Sequence, residues 1–349
     1  MSKALVAWCI GVVACLAACD GRVASPGSGD SGVVAGGGAA GSDAATAPDA
    51  GSVAGAGAGA TRPIAVSDVR TMETFGFLPV EADATATSWY AGVQQVARFK
   101  RHHDGVLLPV RARLVVTLNG VSNPAGPGEV AQWAADRGFH TLTLDYRNIE
   151  SVRLFEDSVP DDGLAGPIEA YTEIIEGVDA SRNVEVSPPN SVLGRIDAAL
   201  QYLSALDPEA DWGYYLDGAG HARLRDVVFF GYSFGAGTAT VIGKSHDVAR
   251  VVTASGPRYL IDTNHDWLVR PSVTPVARFY GIFGEQDPDY ADFVATTALL
   301  EWPGEIVDTT VVPPPYQNSH RLQTNYGHSA MCLGNDLDEV CEYAFGIAE

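Results

Sequence analysis

One serine in this chain has the surroundings of a reactive hydroxyl. Ser233 lies between Gly231 and Gly235, after an apolar run at 227–230 and before a helix-compatible run at 238–243. A strand, a tight turn and a helix form a nucleophile elbow when the turn reads Gly-x-Ser-x-Gly. Glycine at the two flanking positions avoids clashes in the sharp turn. The pattern predicts an exposed serine hydroxyl at a helix N-terminus, where free N–H groups favour negative charge.

A serine hydroxyl is a weak nucleophile and needs a neighbouring base. Two histidines, His320 and His328, follow the stretch at 305–312, which we predict to be the last strand. His328 directly precedes the segment that closes the fold, 329–345, and a loop leading into a helix presents a base well. We therefore predict His328 as the base and keep His320 as the alternative.

A carboxylate must hold the imidazole in the correct tautomer and stabilise its charged form. The buried-type strand predicted at 276–283 ends in a turn that contains Glu285, Asp287 and Asp289. Aspartate is common in turns for local reasons, so each carboxylate also has a structural explanation. Glu285, Asp287 and Asp289 are therefore all candidates for the acid at this point.

Acyl transfer also needs two N–H groups aimed at the oxygen that gains negative charge. The residue after the nucleophile, Phe234, supplies one by the geometry of the elbow. The second is expected from the loop after the strand predicted at 107–119, where Val121 is the first candidate and Gly120 the alternative. A plain turn at this loop would explain the same residues.

The elements around these residues alternate between strand and helix. The strands predicted at 107–119 and 139–144 flank a helix predicted at 128–137, which is a βαβ unit and implies a parallel sheet. Further patterns predict strands at 89–98 and 248–254, a helix at 191–206 with Ser191 as its N-cap, and a helix at 290–300.

The order of these parts resembles the α/β-hydrolase superfamily over residues 114–349. The Gly120 loop, the turn at Asp145, the elbow at Ser233, a later acid and a final histidine carry the resemblance. It implies the α/β-hydrolase fold, with a mostly parallel central sheet and helices on both faces. The stretch at 151–189 is longer than a simple crossover needs, and we interpret it as an insertion that forms either a lid or a surface excursion.

The resemblance also implies an activity. It places serine, acid and histidine in the order found here, and it implies Asp287 as the acid, with Glu285 and Asp289 as alternatives. We therefore expect a serine hydrolase that cleaves small-molecule or polymeric carboxylic esters without a cofactor. In a similar set of exported bacterial proteins a histidine precedes the serine, where this chain has Tyr232. A peptidase or other acyl-transfer enzyme on the same fold, and a non-catalytic binding lipoprotein, are the alternatives.

The N-terminus predicts export. Lys3 and a short apolar run at 4–18 have the pattern of a signal peptide, and the run ends in Leu-Ala-Ala before Cys19, which looks like a bacterial lipobox. The expected parts are a signal peptide at 1–18, a Gly/Ala/Ser-rich tether at 19–61 and a folded domain at 62–349. Lipidation of Cys19 would attach the protein to the cell envelope, on the periplasmic face or the outer surface.

The cysteines, the net charge and the absence of metal-ligand motifs limit the bonds and binding partners that we expect. After processing and lipidation, Cys332 and Cys341 remain, and in an oxidising compartment they are expected to form a disulfide. A net charge of −21 argues against nucleic acid as a partner. The sequence has no metal-ligand spacing, so we predict no metal.

Overall fold

A computed structural model describes residues 69–102, 113–124, 128–151, 166–258, 266–328 and 337–347 of the 349-residue chain. These ranges all belong to one compact unit, Gly55–Glu349. The signal peptide, the tether, Cys19 and Cys332 lie outside the described residues. The domain boundaries, the lipid attachment and the disulfide between Cys332 and Cys341 therefore stay predictions.

Nine strands of the described chain form one mixed sheet, in the order β1–β2–β4–β3–β5–β6–β7–β9–β8. The two N-terminal strands pair antiparallel, with each other and with β4, and all other neighbours pair parallel. The strands are β1 (Val69–Phe77), β2 (Gln95–His102), β3 (Leu114–Leu118), β4 (His140–Thr143), β5 (Val227–Tyr232), β6 (Arg250–Ala254), β7 (Phe279–Gly284), β8 (Val307–Asp308) and β9 (Arg321–Thr324).

Helices cover both faces of the sheet. The described helices are α1 (Pro79–Ala82), α2 (Glu129–Asp136), α3 (Pro167–Glu176), α4 (Val192–Leu206), α5 (Phe234–Ser245), α6 (Tyr290–Leu299) and α7 (Asp338–Phe345). Apolar side chains of α3, α4, α5 and α6 share one core with one face of the sheet, and those of α2 and α7 share the second core on the other face. Strands buried on both faces read as continuous apolar runs, as β3, β5 and β7 do. The predicted mostly parallel sheet between two helical layers is confirmed.

Several predicted elements are present with shifted ends. The helix after Ser191 is α4, and the Ser191 Oγ accepts the Gly194 N–H at 3.0 Å as its N-cap. No helix in the described ranges is long and apolar enough to cross a membrane. The strand predicted at 89–98 begins only at Gln95, because Trp89 and the residues after it form a turn.

The prediction for the last strand is wrong. The stretch at 305–312 contributes only the two-residue edge strand β8, and the last long strand is β9, in a stretch predicted to be a loop. The apolar signal of β9 is weak, since Arg321 and Gln323 alternate with Leu322 and Thr324. The Arg321 guanidinium is buried because Thr297 Oγ1 and the Val294 carbonyl accept its hydrogen bonds, at 3.1 and 2.8 Å. Hydrogen bonds to distant residues allow this charged side chain to be buried, and they produce no apolar pattern in the sequence of β9.

The interpretation of residues 151–189 as one insertion also needs correction. Part of it is α3, whose Tyr171, Ile174 and Ile175 are buried in the same core as α5. Its apolar residues recur with the 3.6-residue period of a helix, so they form one face that packs into the core. The lid prediction now concerns residues 152–165, which lie outside the described part of the chain.

A short segment before β2 lies across the carboxyl end of the neighbouring strand β4. We call residues Thr87–Tyr90 the strap. The Trp89 N–H donates to Asp145 Oδ2 at 2.9 Å, and the Arg195 guanidinium donates to the Thr87 carbonyl. Asp145 and Arg195 are themselves buried, with Arg195 Nη1 3.8 Å from Asp145 Oδ2. The strap is thus tied to the domain by a buried ion pair.

Burial sets the electrostatics of this pair. It raises the pKa of the Asp145 carboxyl, while the Trp89 N–H and the Arg195 charge oppose that rise. Burial also lowers the pKa of Arg195 to about 10. Removal of one partner would leave the other as an uncompensated buried charge, which is strongly destabilising.

We expect Arg195→Met to lower the free energy of unfolding by about 3–5 kcal/mol near neutral pH. Without the cation the pKa of Asp145 rises further. A raised carboxyl pKa penalises the folded state fully above that pKa, and the penalty shrinks as the pH falls from there towards the pKa of the unfolded state. The deficit should therefore shrink as the pH falls from about 8 to about 5, measured by urea unfolding at each pH. Arg225→Met removes an exposed arginine and is the control. A deficit independent of pH would contradict the assignment to Asp145.

Candidate active site

Ser233 lies at the turn between β5 and α5 in a backbone conformation that few side chains adopt. Its φ and ψ are 54° and −112°, and its N–H donates to the Ala254 carbonyl of β6 at 3.0 Å. A Cβ on Gly231 would lie 2.1 Å from the Gly235 carbonyl oxygen, so the turn closes only with glycine there. Strained backbone of this kind is held by the surrounding packing. The structure has the predicted elbow.

The three side chains predicted for catalysis form one hydrogen-bonded line. His328 Nε2 lies 3.0 Å from Ser233 Oγ, and His328 Nδ1 lies 2.8 Å from Asp287 Oδ2. Asp287 is buried, whereas the His328 side chain is 38% exposed. A carboxylate only accepts hydrogen bonds, so it selects the tautomer with the proton on Nδ1 and leaves Nε2 to accept from the serine.

Two loops at the same edge of the sheet are joined to each other and hold the acid and the base. A Cβ on Gly284 would lie 2.3 Å from the Tyr326 carbonyl oxygen, so the two loops touch through backbone. The Gln286 N–H donates to that carbonyl at 3.0 Å. The Ser255 hydroxyl, after β6, donates to the His328 carbonyl at 2.6 Å. The base is therefore fixed from two neighbouring strands.

The alternative residues make other contacts. His320 is buried, stacks on Tyr280 at a ring-centroid distance of 3.9 Å, and its Nδ1 lies 3.0 Å from the Phe279 carbonyl. Glu285 is exposed and accepts a hydrogen bond from the Gln323 amide at 2.9 Å. The geometry joins neither of them to Ser233.

The third alternative, Asp289, lies close to the triad without being part of the line. Its carboxylate pairs with Arg258, and its N–H donates to Asp287 Oδ1 at 3.0 Å. Among the described residues, Asp287, Asp289 and His328 have potential metal-ligand atoms within 4.8 Å of one another. In the structure, the carboxylate of Asp287 contacts His328, and that of Asp289 contacts Arg258.

The predicted oxyanion donors lie on the two segments next to the serine. Neither the Phe234 N–H nor the Val121 N–H has an acceptor among the described residues. The Val121 loop touches the elbow, because a Cβ on Gly120 would lie 3.2 Å from the Ser233 Cβ. Two unpaired N–H groups beside a nucleophile are what a developing oxyanion requires.

Tyr232 occupies the position before the serine. Its ring lies against Gly120 and 5.5 Å from the His328 ring, between centroids, so it forms part of the wall beside the base. Burial, and then the charge of Asp287, raise the pKa of Tyr232. With tyrosine at this position the elbow keeps its geometry.

The sequence reasoning missed the residues that support the Val121 loop. Tyr146 donates a short hydrogen bond to the Asn119 carbonyl, and Asn148 donates to the Gly120 carbonyl at 2.7 Å. Both residues follow β4, at the edge where the carboxyl ends of the parallel strands meet. That position was a usable signal, since polar side chains at this edge commonly serve a site.

These observations define an α/β-hydrolase fold: a parallel sheet with antiparallel N-terminal strands, helices on both faces, and a Gly-x-Ser-x-Gly elbow after β5. No family model matches the chain, and no curated protein matches it either. The fold assignment rests on the chain's own sheet order and elbow.

The chain is also similar to a number of solved structures. One is MGS-M1, an α/β-hydrolase enzyme from a Medee basin deep-sea metagenome library, with 12% identity, a TM-score of 0.39, and coverage of 79% of this chain and 95% of that chain. Another is a cold-adapted esterase from an Arctic intertidal metagenomic library, with 13% identity, a TM-score of 0.39, and coverage of 82% and 98%. A third is the Pyrococcus horikoshii acylaminoacyl peptidase, with 10% identity, a TM-score of 0.40, and coverage of 80% of this chain and 41% of that chain.

We expect Gly235→Ala to damage both the fold and the site. The new methyl group would lie 2.0 Å from the Leu118 carbonyl oxygen and 2.9 Å from that of Asn119, so α5 and the end of β3 must separate. Overpacking of this kind costs about 1–3 kcal/mol, to be read from denaturant unfolding. Gly218→Ala is the control, because nothing lies within 4 Å of its Cβ position. Equal stability of the two variants would contradict the close packing of the elbow.

Proposed function

We propose that this protein is a serine hydrolase that cleaves carboxylic esters through an acyl-enzyme intermediate. One observation carries the proposal: the line from Ser233 through His328 to Asp287, with distances of 3.0 and 2.8 Å, on a nucleophile elbow. Nucleophile and base within hydrogen-bond reach, with the base oriented by a third group, is the arrangement of covalent acyl transfer.

In the first half of the reaction, Ser233 Oγ attacks the acyl carbonyl carbon while His328 Nε2 takes its proton. Asp287 Oδ2 stabilises the charged imidazolium through Nδ1–H. The carbonyl oxygen becomes an oxyanion and receives hydrogen bonds from the N–H groups of Phe234 and Val121. The tetrahedral intermediate then collapses, and the imidazolium gives its proton to the departing alcohol.

In the second half, water repeats the attack. His328 removes a proton from a water molecule, and the resulting nucleophile adds to the acyl carbon bound to Ser233. Collapse of this second intermediate returns the proton to Ser233 Oγ and releases the carboxylic acid. All protons and electron pairs are accounted for by these residues, water and the ester, and no step requires a cofactor.

The test is covalent labelling of the full-length chain with a fluorophosphonate probe, together with hydrolysis of short- and medium-chain p-nitrophenyl esters. We expect label on Ser233 and ester turnover, and a loss of turnover of at least about 10³-fold in Ser233→Ala and in His328→Ala. His221→Ala, at an exposed histidine with 70% of its side chain accessible, is the matched control and should keep full activity.

The outcomes separate the competing functions. Faster turnover of matched amides than of esters would replace the esterase with a peptidase. Turnover without label on Ser233 would overturn the proposed nucleophile. The absence of both label and turnover in the wild-type chain would overturn the hydrolase and favour a binding protein that retains the fold.

We also propose, from the sequence alone, that the mature chain begins at a lipidated Cys19 and is held at the cell envelope. The short apolar run before Cys19 and the tether after it support this reading. Mass spectrometry of the mature N-terminus should find a diacylglyceryl group on Cys19, and Cys19→Ser should release the protein from the membrane fraction. An unmodified N-terminus at another residue would rule the anchor out.

A further inference from the structure

Asn148 binds the loop of residues 119–123 from both its side chain and its main chain. Its Nδ2 donates to the Gly120 carbonyl at 2.7 Å and to the Asn123 carbonyl at 2.9 Å. Its own carbonyl accepts the Ser122 N–H at 2.7 Å. Asn148 is 1% exposed, and its bond to the Gly120 carbonyl is buried. One residue thus makes three hydrogen bonds to a five-residue loop.

The bond to Gly120 also fixes the direction of an N–H group. The carbonyl of Gly120 and the N–H of Val121 belong to the same peptide group. A trans peptide is planar, and its C=O and N–H point in opposite directions. Because Asn148 holds the Gly120 oxygen on one side, the Val121 N–H must point to the other side, away from Asn148. This is the N–H assigned above to the oxyanion.

The orientation of the Asn148 amide is itself determined by its neighbours. Carbonyl oxygens only accept hydrogen bonds, so the end that faces Gly120 and Asn123 must be the NH₂ group. The opposite end, Oδ1, accepts the hydroxyl of Tyr90 at 2.8 Å. Burial, and then the Asp145 charge, raise the pKa of Tyr90, which keeps this hydroxyl protonated and able to donate.

Tyr90 is held in place as part of the strap. The strap is bound at Trp89 by the Asp145 carboxylate and at Thr87 by Asn190, whose Oδ1 accepts the Thr87 N–H at 2.8 Å. The Trp89 indole also lies 3.4 Å from the Asn190 carbonyl. A continuous series of hydrogen bonds therefore runs from the strap to the loop beside the nucleophile.

We propose that Asn148 is a positioning residue that aims the Val121 N–H at the oxyanion, and that Tyr90 orients the Asn148 amide for this task. The inference rests on the proposed hydrolase function. It assigns Asn148 no contact with the substrate. Its effect is to hold the peptide group between Gly120 and Val121 in the direction that the transition state requires.

Asn148→Asp tests the proposal with almost no change in side-chain volume. A carboxylate cannot donate to the two carbonyls and repels them, so the peptide group should rotate or shift. We expect kcat for a p-nitrophenyl ester to fall about 30–100-fold, with KM within about 3-fold, because a misplaced donor weakens transition-state stabilisation more than ground-state binding. Tyr90→Phe keeps the NH₂ donors of Asn148 but removes the hydroxyl that orients this amide. This variant should reduce kcat about 3–10-fold.

A second readout separates positioning from a general structural role. A trifluoromethyl ketone forms a tetrahedral adduct with a serine and places an oxyanion in the same position as the reaction does. Its inhibition constant should rise in each variant by the same factor by which kcat/KM falls. The melting temperatures are measured alongside, and Tyr90→Phe still tests the proposal if Asn148→Asp fails to fold.

Matched control variants and the activity of the wild-type chain distinguish a failure of the proposed function from a failure of this inference. Asn318→Asp adds the same charge at an exposed asparagine, and Tyr202→Phe removes a hydroxyl from a partly buried tyrosine. Both should retain wild-type kcat. An inactive wild type would overturn the proposed function itself. An active wild type with unchanged kcat in the variants at 148 and 90, or a reduced kcat with an unchanged ketone inhibition constant, would overturn this inference alone.

Discussion

The structure depends on how closely the backbone packs around the main chain of Ser233. With φ at 54° the serine leaves its strand abruptly, and the helix α5 returns over β5 at backbone contact distance. A Cβ on Gly256 would lie 3.1 Å from the Ser233 carbonyl oxygen and 2.7 Å from the Ala236 Cβ, so the loop after β6 also lies close to the elbow. A side chain at Gly231, Gly235 or Gly256 would push apart the segments that meet at the elbow.

Parallel strands explain why so many separate loops reach one point. The carboxyl ends of β3, β4, β5, β6, β7 and β9 lie at the same edge of the sheet. They carry, in turn, the loop at Val121, Asn148, Ser233, Ser255, Asp287 and His328. Each chemical group thus lies directly after a strand of the sheet, and hydrogen bonds between neighbouring loops hold the groups in place. Because sheet order differs from chain order, residues far apart in sequence become neighbours.

The features of the site that depend on local sequence could be predicted, and those that depend on distant contacts could not. The elbow has a local glycine signature, so its sequence alone predicts it. The turn after β7 contains three carboxylates, and only the resemblance to α/β-hydrolases favoured Asp287 among them. The final histidine was predicted after the wrong strand, because β9 is stabilised by tertiary hydrogen bonds to Arg321 and shows little apolar alternation. Tyr90 has no local signal at all. Its role exists only because the strap crosses the sheet edge. The path of the strap is set by Asp145 and Arg195, whose hydrogen bonds to it span 56 and 108 positions of the chain.

The buried pair of Asp145 and Arg195 belongs to the same argument. A buried ion pair is weak evidence for stability, since apolar residues of similar size often serve as well. Apolar residues at 145 and 195 could not accept the Trp89 N–H or donate to the Thr87 carbonyl, so both partly buried hydrogen bonds to the strap would be lost. The pair therefore fixes the path of the strap, the strap presents the Tyr90 hydroxyl, and that hydroxyl orients the Asn148 amide. The ion pair of Asp145 and Arg195 lies away from Ser233. Its clearest physical role is to help set the direction of the peptide group between Gly120 and Val121, which lies beside that serine.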